Sequence, residues 1–309
     1  MHCAYMKITV IGHICLDVIE FPNGTTSQSY GGIFFSIAAL ANLLNKNDTI
    51  IPVFGISKVD YDKLLNHLNK YSNIDTSAIF NFDGPTNQVH LYYSDNKKRI
   101  ECSEHIAEPI PWSKIRKCLD VDMVFINMIS GFDITLETLD FIRMRTRENK
   151  TEIYFDVHSL TLGIDSSNKR FYQPVDTWRR WLFMLHAVQM NETEAANLTP
   201  EPLDEKNLAK HILALNTKAV HITKGSRGST VYIAQQKNIS QIDVPALEPE
   251  KAIDPTGCGD VYGSAYCASY MKTKDILKSA EFANRVASFN AQSIGSTEID
   301  KLSKFRING

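Results

Sequence analysis

Buried-strand patterns alternate with helical patterns along the central part of the sequence, and this alternation is the feature that most limits the possible folds. Short apolar runs typical of buried strands are separated by stretches whose apolar residues have helical spacing. In chain order the segments are MVFIN (123 to 127), a helix over 135 to 147, EIYFDV (152 to 157), a helix ending near Leu185, AVQMN (187 to 191), a helix from 204 to 216, and AVHIT (219 to 223). Because such alternation is typical of βαβ units, the sequence predicts an α/β fold with a central, mostly parallel sheet flanked by helices.

In two other regions the apolar residues recur at a shorter spacing, at every second position. Residues 14 to 30 and about 77 to 105 contain brief alternating runs, and turn signals such as FDGPT and SDNKK separate those of the second region. Alternation of apolar and polar residues over a few positions indicates strands with one exposed face. We therefore predict a small antiparallel β lid formed by these two regions, within one domain that spans residues 1 to 309.

The charge balance limits the class of partner. Lys and Arg total 33 against 35 Asp and Glu, so the formal net charge is -2. A chain with so little net charge has no field that attracts nucleic acid or an anionic membrane, and we expect a small-molecule partner instead.

Cysteine usage and the N-terminal residues indicate the compartment. The six cysteines form no C-x-x-C pair and have no zinc-ligand spacing. The N-terminus lacks a basic region followed by an unbroken apolar stretch, and no apolar run approaches the about 20 residues that a membrane helix needs. These patterns predict reduced thiols in a cytoplasmic protein.

A glycine-rich turn near the C-terminus, in AIDPTGCGDVYG (252 to 263), indicates phosphate chemistry. If a helix begins near Gly257, the backbone N–H groups of Gly257, Cys258 and Gly259 belong to its unpaired first turn and can bind an anion. Asp260 would stand beside that anion, where a carboxylate is suited to accept the proton of an attacking hydroxyl. The alternative is a first-turn acid that only stabilises the helix dipole.

Two further segments follow predicted strands of the sheet. Asn191 and Glu194 stand three residues apart at a helix start, where they can hold a hydrated magnesium ion and ATP phosphates, or simply cap the helix. Thr223, Gly225 and Gly228 form a turn after AVHIT, at the sheet edge where open α/β proteins bind ligands. A Walker A loop is absent.

These motifs occur in the order found in the ribokinase-like (PfkB) carbohydrate kinases. DPTGCGD (254 to 260) resembles the family signature D-T-x-G-A-G-D, and MNETEAANL and ITKGSRGSTVY resemble its N-x-x-E and nucleotide-side motifs. VIGHICLD is similar to the first strand with its substrate-binding aspartate, here Asp17, and YGGIFFSIAALA resembles the di-glycine turn, here Gly31 and Gly32. The resemblance implies a ribokinase-like fold, ATP and Mg²⁺ as cofactors, Asp260 as general base and the amides of 257 to 259 as an anion hole.

Three departures from the family pattern concern the acceptor. Ser36 stands where members commonly have Asn, and GISKVDYD keeps Gly55 without the spacing of G-x-D-x-x-G. FDVHSLTLG keeps Asp156 of a D-x-N-x-R pattern, puts His158 in the place of Asn and offers no nearby Arg. The acceptor therefore stays open between a sugar or sugar-like alcohol and a nucleoside, and a non-catalytic binding protein is a further alternative.

Two more expectations rest on the resemblance. Some members are activated by a monovalent cation such as K⁺, and Asp254 and Thr256, with the segment 293 to 296, are the candidate ligands. Members often form homodimers through the lid, whose strands would have edges free to pair.

Overall fold

The computed structural model of the protein describes residues 5–20, 24–93, 99–235, 238–247 and 252–307. The strands in chain order are β1 (Lys7–Ile11), β2 (Ile14–Glu20), β3 (Thr26–Gly32), β4 (Thr49–Val53), β5 (Gly55–Ser57), β6 (Phe80–Phe82), β7 (Gln88–Tyr93), β8 (Arg99–Glu104), β9 (Met123–Asn127), β10 (Glu152–Asp156), β11 (Leu162–Ile164), β12 (Arg170–Tyr172), β13 (Ala187–Asn191), β14 (Ala219–Thr223), β15 (Ser229–Gln235) and β16 (Asn238–Val244). The α-helices are α1 (Ile33–Leu43), α2 (Lys58–Leu68), α3 (Trp112–Ile115), α4 (Leu136–Asn149), α5 (Trp178–Trp181), α6 (Glu192–Asn197), α7 (Glu205–Ala214), α8 (Cys258–Thr273) and α9 (Ile276–Asn290). Short 3-10 helices lie at Thr76–Ala78, Arg116–Cys118, His158–Thr161, Gly225–Arg227 and Ile299–Phe305.

The main sheet has the predicted α/β architecture. Within the described ranges its strand order is β16-β15-β14-β13-β10-β9-β1-β4. The strands from β14 to β4 are parallel to one another, and β15 and β16 continue the sheet in antiparallel pairing. Strand β9 is buried along its whole length, as expected of a parallel strand with both faces covered. The prediction of a mostly parallel sheet flanked by helices is confirmed.

Helix α8 lies deep in the molecule and fixes the position of the glycine-rich turn at its N-terminus. Its residues from 260 to 271 are all buried, so no face of the helix is exposed to solvent along this stretch. It packs against α1 and α9 and over β9 and β10. Gly263 permits this close approach, because a Cβ at that position would lie 2.9 Å from Cζ of Phe125.

A smaller sheet with strand order β3-β2-β7-β8 forms the lid. Its pairs β2–β3 and β7–β8 are antiparallel, whereas β2–β7 is parallel. The predicted lid boundary at about residue 77 is wrong, because β6 pairs in parallel with β5 of the main body instead of joining the lid. The turn SDNKK lies mostly outside the described residues.

The segment between β10 and β13 also differs from the sequence-based expectation. The helix predicted to end near Leu185 is only the four-residue α5, and the hairpin of β11 and β12 occupies part of the segment before it. Among the described residues, no helix combines the length and the apolar character that crossing a bilayer requires.

Candidate active site

A cavity of about 260 Å³ lies between the lid, the ends of the parallel strands and the N-terminus of α8. The lid contributes Cys15, Asp17, Val89, Leu91 and Glu101; the strand ends and the loops after them contribute Ile129, Asp156, His158, Ser159, Leu162, Tyr172, Gln189, Asn191, Glu194 and Thr223; the segments at α1 and α8 contribute Gly32, Phe35, Pro255, Thr256, Gly257, Gly259 and Asp260. The structure therefore brings most of the residues predicted from the sequence to a single cavity.

The four central parallel strands each end in a polar residue at this edge of the sheet. These residues are Asn127 of β9, Asp156 of β10, Asn191 of β13 and Thr223 of β14. Neighbouring strands place them side by side, since Asp156 pairs in register with Asn127, and Asn191 with Thr223. Open α/β sheets bind ligands outside the carboxyl ends of their strands, and this edge has the polar groups to do so.

The turn before α8 has the backbone that the anion-hole prediction requires. Gly257 is the N-cap residue and adopts a left-handed conformation, with φ 74° and ψ -1°. A Cβ on Gly257 would overlap the Phe35 ring, so only glycine fits there without displacing α1. Around Gly259 the space is open, and a Cβ would meet only Nε2 of Gln189 at 3.6 Å.

Cys258 departs from the prediction that its amide completes the anion hole. Its N–H donates to the carbonyl oxygen of Pro255 at 3.1 Å, and the residue does not line the cavity. Its thiol points instead toward Ala287 and Asn290 of α9. Burial raises the pKa of this thiol to about 11. The amides of Gly257 and Gly259 are therefore the ones that remain at the cavity.

Asp260 is buried, with 6 % of its surface exposed, and its carboxylate is fixed by one strong hydrogen bond. Nδ2 of Asn127 donates to Oδ1 of Asp260 at 2.7 Å. Burial raises the pKa of Asp260, and the nearby His158 and the amide of Asn127 only partly oppose that effect. Asn127 was not predicted as a site residue, although its position as the last residue of a buried parallel strand could have indicated it.

Three buried carboxylates and one imidazole share this part of the cavity. Burial raises the pKa of Asp156 and of Glu194, the latter to about 7. Burial alone would lower the pKa of His158, but the carboxylates of Asp260, Asp156 and Glu194 outweigh it and raise that pKa. His158, which stands where the family pattern has Asn, therefore lies among the carboxylates of the site, which favour its positively charged form.

The backbone around His158 is held in an unusual conformation. His158 has φ 36°, in the left-handed region that non-glycine residues rarely adopt. The flanking amides are fixed, because Val157 N donates to Gln189 O and Ser159 N to Met128 O, both at 2.9 Å. Strain of this kind clusters at functional sites, and here it belongs to a side chain that lines the cavity.

Gln189 links the sheet edge to the start of α8, and it was also missed. Its Nε2 donates to Oδ2 of Asp156 at 2.9 Å and to the carbonyl oxygen of Gly259 at 3.0 Å. The hydroxyl of Tyr154 donates to Gln189 Oε1 at 2.7 Å and fixes the orientation of the amide. Gln189 therefore fixes the glycine turn relative to Asp156.

Asn191 and Glu194 form the capping box of α6, as the structural alternative in the sequence analysis proposed. The side chain of Asn191 accepts from the Glu194 amide at 2.9 Å, and the Glu194 carboxylate accepts from N and Nδ2 of Asn191 at 2.7 and 2.6 Å. Each carboxylate oxygen thus uses one acceptor position and keeps another. Because Glu194 also lines the cavity, capping the helix and binding the water shell of a magnesium ion are compatible roles.

On the acceptor side, Asp17 is buried against the di-glycine turn. Only 5 % of Asp17 is exposed, so this strand acid does not face the solvent. A Cβ on Gly31 would overlap the Asp17 carboxylate, and Gly32 has φ 60°. The two glycines therefore let the lid strand carrying Asp17 close directly over the start of α1.

Ser36 does not take the place predicted for it. It is completely buried in α1 and does not line the cavity. Its hydroxyl accepts from Nδ2 of Asn127 at 3.3 Å, the same amide that holds Asp260. The residue one helical position earlier, Phe35, lines the cavity instead.

The turn after β14 is only partly at the cavity. Thr223 lines it, whereas Gly225 and Gly228 do not. Both glycines have positive φ, 57° and 87° respectively, and a Cβ on Gly228 would overlap the carbonyl oxygen of Val244. Gly228 is therefore required for the turn to pack against the end of β16.

Asp254 joins the segments suggested for a monovalent cation, but its oxygens are already paired. Oδ1 accepts from N and Oγ1 of Thr256 at 2.9 and 2.7 Å, and Oδ2 accepts from the Gly295 amide at 2.9 Å. These contacts fix the signature turn to the segment 293 to 296. The carboxylate therefore fixes this loop, and because Oδ2 keeps one acceptor position, its role as a cation ligand stays a prediction.

Comparison with known proteins agrees with this geometry. Residues 148–302 match the family described as pfkB family carbohydrate kinase. A cytidine kinase of Thermococcus kodakarensis is 23% identical over 278 residues, which cover 88% of this chain and 91% of that protein.

Two solved structures have the same fold at low identity. One is a pyrophosphate-dependent kinase in the ribokinase family, complexed with a pyrophosphate analog and myo-inositol, with a TM-score of 0.76, 18% identity and coverage of 96% of this chain and 99% of that one. The other is the ribokinase of Arabidopsis thaliana complexed with ribose and ATP, with a TM-score of 0.72, 17% identity and coverage of 98% and 100%. The fold is thus ribokinase-like, as predicted.

The family match includes the strand ends from Asp156 to Thr223 and the whole signature turn with Asp260. Kinases of this family are phosphotransferases with an alcohol group as acceptor, and they normally use ATP with Mg²⁺. The chain belongs to the pfkB family of carbohydrate kinases.

Proposed function

We propose that the protein transfers the γ-phosphoryl group of ATP to a hydroxyl of a small sugar or sugar-like alcohol bound in the cavity under the lid. Asp260 accepts the proton of the attacking hydroxyl. The amides of Gly257 and Gly259 stabilise the negative charge that builds on the transferred group. Asp17 and Gly32 form the wall that receives the acceptor, and Gly31, which does not line the cavity, lets the Asp17 carboxylate pack against the turn.

One observation carries this proposal. The carboxylate of Asp260, held by Asn127 at 2.7 Å, shares a cavity with the backbone of Gly257 and Gly259 at a helix N-terminus. A general base and preorganised donors for an anion at one place are what phosphoryl transfer requires of a protein. The raised pKa of Asp260 brings it closer to the pH at which a base must work, since a stronger base takes the hydroxyl proton more readily.

The donor side supports ATP bound with magnesium. Glu194 and Asn191 would hold the hydrated ion, and Thr223 would contact the nucleotide. Bound magnesium would neutralise the phosphate charges and so lower the cost of placing them beside Asp260, Asp156 and Glu194. Pyrophosphate is a donor to include in tests, because the name of one structural neighbour records it.

A nucleoside is the second candidate acceptor. The relative that aligns with 88% of the chain is named a cytidine kinase. Phe35 and Tyr172 line the cavity and offer ring faces on which a base can stack. A sugar or polyol is our first candidate because the cavity is small and the carboxylates of Asp17, Glu101 and Asp156, beside Asp260, are suited to bind several hydroxyls.

A screen of acceptors tests the proposal directly. The purified protein would be incubated with Mg-ATP and ribose, fructose, myo-inositol, cytidine, adenosine or inosine, and ADP release and thermal shift would be measured together. Asp260→Asn should keep the ATP-dependent thermal shift and lose about 100-fold or more of the turnover, because the substitution removes the base but keeps the size of the side chain. Near-normal turnover in Asp260→Asn would refute the assignment of the base.

The same screen separates the enzyme from a non-catalytic binding protein. A binding protein would show a thermal shift with an acceptor but no ADP above the background of Asp260→Asn. An enzyme would show both with the same compound. Repeating the active combination with pyrophosphate in place of ATP would then identify the donor.

A further inference from the structure

Among the described residues that line the cavity under the lid, His158 is the one side chain that can carry a positive charge. Asp156, Glu194 and Asp260 reach the same cavity, and their carboxylates raise the pKa of His158 and so favour its imidazolium form. Enzymes that transfer a phosphoryl group stabilise the charge on its oxygens with positively charged groups. In the described part of this cavity, His158 is the side chain suited to that task.

The hydrogen bonds of His158 leave one ring nitrogen for a ligand. Nδ1 lies 2.9 Å from Oγ of Ser159, whereas Nε2 has no hydrogen-bond partner among the described residues. Unlike Nε2 of His13 and of His221, which are closed off inside the protein without a partner, Nε2 of His158 keeps accessible surface, because its ring is only half-buried and lines the cavity. Nε2 carries a proton in the imidazolium form, and also in the neutral tautomer in which Nδ1 accepts from the Ser159 hydroxyl.

The backbone of His158 is fixed before any ligand arrives. Its N–H donates to Oδ1 of Asp156 at 3.3 Å, and its carbonyl oxygen accepts from Oγ1 of Thr161 at 3.4 Å. The next turn is closed by Leu160 N, which donates to the carbonyl oxygen of Val157 at 2.8 Å. A donor held in this way stabilises charge on a ligand with little reorganisation. The left-handed conformation of His158 is therefore maintained by contacts that keep its ring at the cavity.

Two observations place this ring on the side of the cavity where the base and the glycine turn stand. Among the nearby carboxylates, Asp260 has the largest effect on the pKa of His158. The residue before His158 is also linked to the turn, because Val157 N donates to the carbonyl oxygen of Gln189 at 2.9 Å and Nε2 of Gln189 donates to that of Gly259 at 3.0 Å. The imidazole and the Gly259 backbone thus border the same space.

We propose that Nε2–H of His158 donates to a non-bridging oxygen of the transferred phosphoryl group, together with the amides of Gly257 and Gly259. This inference rests on the proposed function and adds a catalytic residue to that reaction. The acceptor oxygen bonds to phosphorus as the bond between phosphorus and the departing oxygen of ADP breaks, and the acceptor proton passes to Asp260. His158 keeps its own proton throughout and stabilises the negative charge on the group in transfer.

Two nucleotides that differ by the γ-phosphoryl group test the contact without any turnover. Calorimetry would give the Kd of Mg-ADP and of Mg-AMP-PNP, a non-hydrolysable analogue of Mg-ATP. His158→Asn should weaken Mg-AMP-PNP about ten-fold relative to Mg-ADP, because the amide of the shorter side chain stands where Nδ1 was and leaves no donor at the position of Nε2. His158→Gln should keep most of the preference, since its amide nitrogen reaches that position.

The glutamine variant distinguishes a direct contact from the effect of charge at a distance. Both variants lose the positive charge, and only His158→Gln keeps a donor in place. Equal weakening of Mg-AMP-PNP in the two variants, or none in His158→Asn, would overturn the proposal. His105→Asn is the matched control: His105 also has a left-handed backbone, with φ 56°, but it is exposed and lies outside the cavity, so both Kd values should stay unchanged.

A resonance of the unaltered protein decides the question if a variant fails to fold. With ¹⁵N-labelled histidine, the Nε2 signal of His158 should shift on addition of Mg-AMP-PNP and stay in place with Mg-ADP. Phosphorylation of an acceptor by a protein whose Nε2 signal does not move would overturn the His158 contact and leave the proposed function intact. A shifted signal without ADP release from any acceptor would support the contact and contradict the proposed function. Binding of neither nucleotide would overturn both.

Discussion

Asp260 is held in place by the side-chain amide of Asn127, and its ionisation depends on the charges around it. Asp156 and Glu194 are buried in the same cavity, and burial raises the pKa of all three carboxyl groups. His158 acts in the opposite direction on each of them. His158, which the family resemblance identified only as a departure, thus limits the rise in the pKa of the proposed base, as the amide of Asn127 also does.

We expect His158→Asn to move the acidic limb of the pH profile to higher pH. Asp260 accepts a proton only when ionised, so kcat/KM falls as the pH drops through its raised pKa. Without the positive charge of His158 the pKa values of Asp260 and Glu194 rise further, and the fall begins at a higher pH. The measurement is kcat/KM with the best acceptor between about pH 5 and pH 9, a range that spans ordinary histidine titration.

His211→Asn is the matched control, because His211 is exposed on α7, outside the cavity. It should leave the profile unchanged. If the acidic limb of His158→Asn coincides with that of the unaltered protein, His158 does not set the ionisation of the base.

At the scale of elements, the strands β9, β10, β13 and β14 and the helices α4 and α7 followed from hydrophobic periodicity, whereas the start of α8 followed from its glycine-rich turn. The periodicity determines which residues are buried, and burial governs long parallel strands and their crossover helices. It does not identify strand partners, and for this reason β6 was assigned to the lid although it pairs with β5. The one-turn α5 lies in a segment whose course is set by tertiary contacts rather than by its own spacing.

The candidate site was predictable where a motif fixes backbone geometry and was missed where a side chain acts alone. Gly257, Gly259 and Asp260 were found from their spacing. Asn127 and Gln189 were not, because each is one polar residue in an apolar strand, and only the sheet brings them to Asp260 and Gly259. Ser36 was placed at the site by analogy and Cys258 from its position in the first helical turn, but the side chains of both pack within the α-helical layers instead.

Substitutions at the glycine turn should distinguish the role of Gly257 from that of Gly259. In Gly257→Ala the alanine must adopt the left-handed conformation, which costs about 1–2 kcal/mol, and its Cβ overlaps the Phe35 ring. We expect turnover to fall by about 100-fold or more, because the amide donors move, and the melting temperature to decrease. Gly259→Ala places its Cβ in open space at the cavity, so we expect it to keep the melting temperature but to lower turnover, because the methyl group would stand where the phosphoryl group binds.

Turnover with saturating Mg-ATP and the melting temperature would be measured for both variants. Unchanged turnover in Gly257→Ala would contradict the proposed role of the Gly257 backbone, and a fall in the melting temperature of Gly259→Ala as large as that of Gly257→Ala would contradict the open space at Gly259.

At the scale of the whole molecule, the lid is a four-stranded sheet with β3 and β8 at its edges. Strand β3, TSQSYGG, is polar and half-exposed at its start, so its edge is available to another chain. The sequence-based expectation of a homodimer through the lid therefore remains a prediction with a defined surface.

Two lysines on the lid edge should dissociate such a dimer. Thr26→Lys with Gln28→Lys adds like charges on two exposed positions of β3, where they would face each other across paired edges. Sedimentation velocity should show a dimer for the unaltered protein and a monomer for this variant. Asn238→Lys with Gln241→Lys on β16, the edge of the main sheet, is the control and should leave the dimer intact. A monomer in the unaltered protein would contradict the prediction at once.

The order of the site residues along the chain has a consequence for synthesis. The lid strands and the di-glycine turn are translated before Asp260 and α8. Because α8 packs into the middle of the molecule, against α1 and over β9 and β10, a nascent chain that already contains the strands of both sheets still lacks this buried helix and its proposed base. Ribosome-bound intermediates would thus be unable to consume ATP, and catalytic competence would arrive together with the completed core.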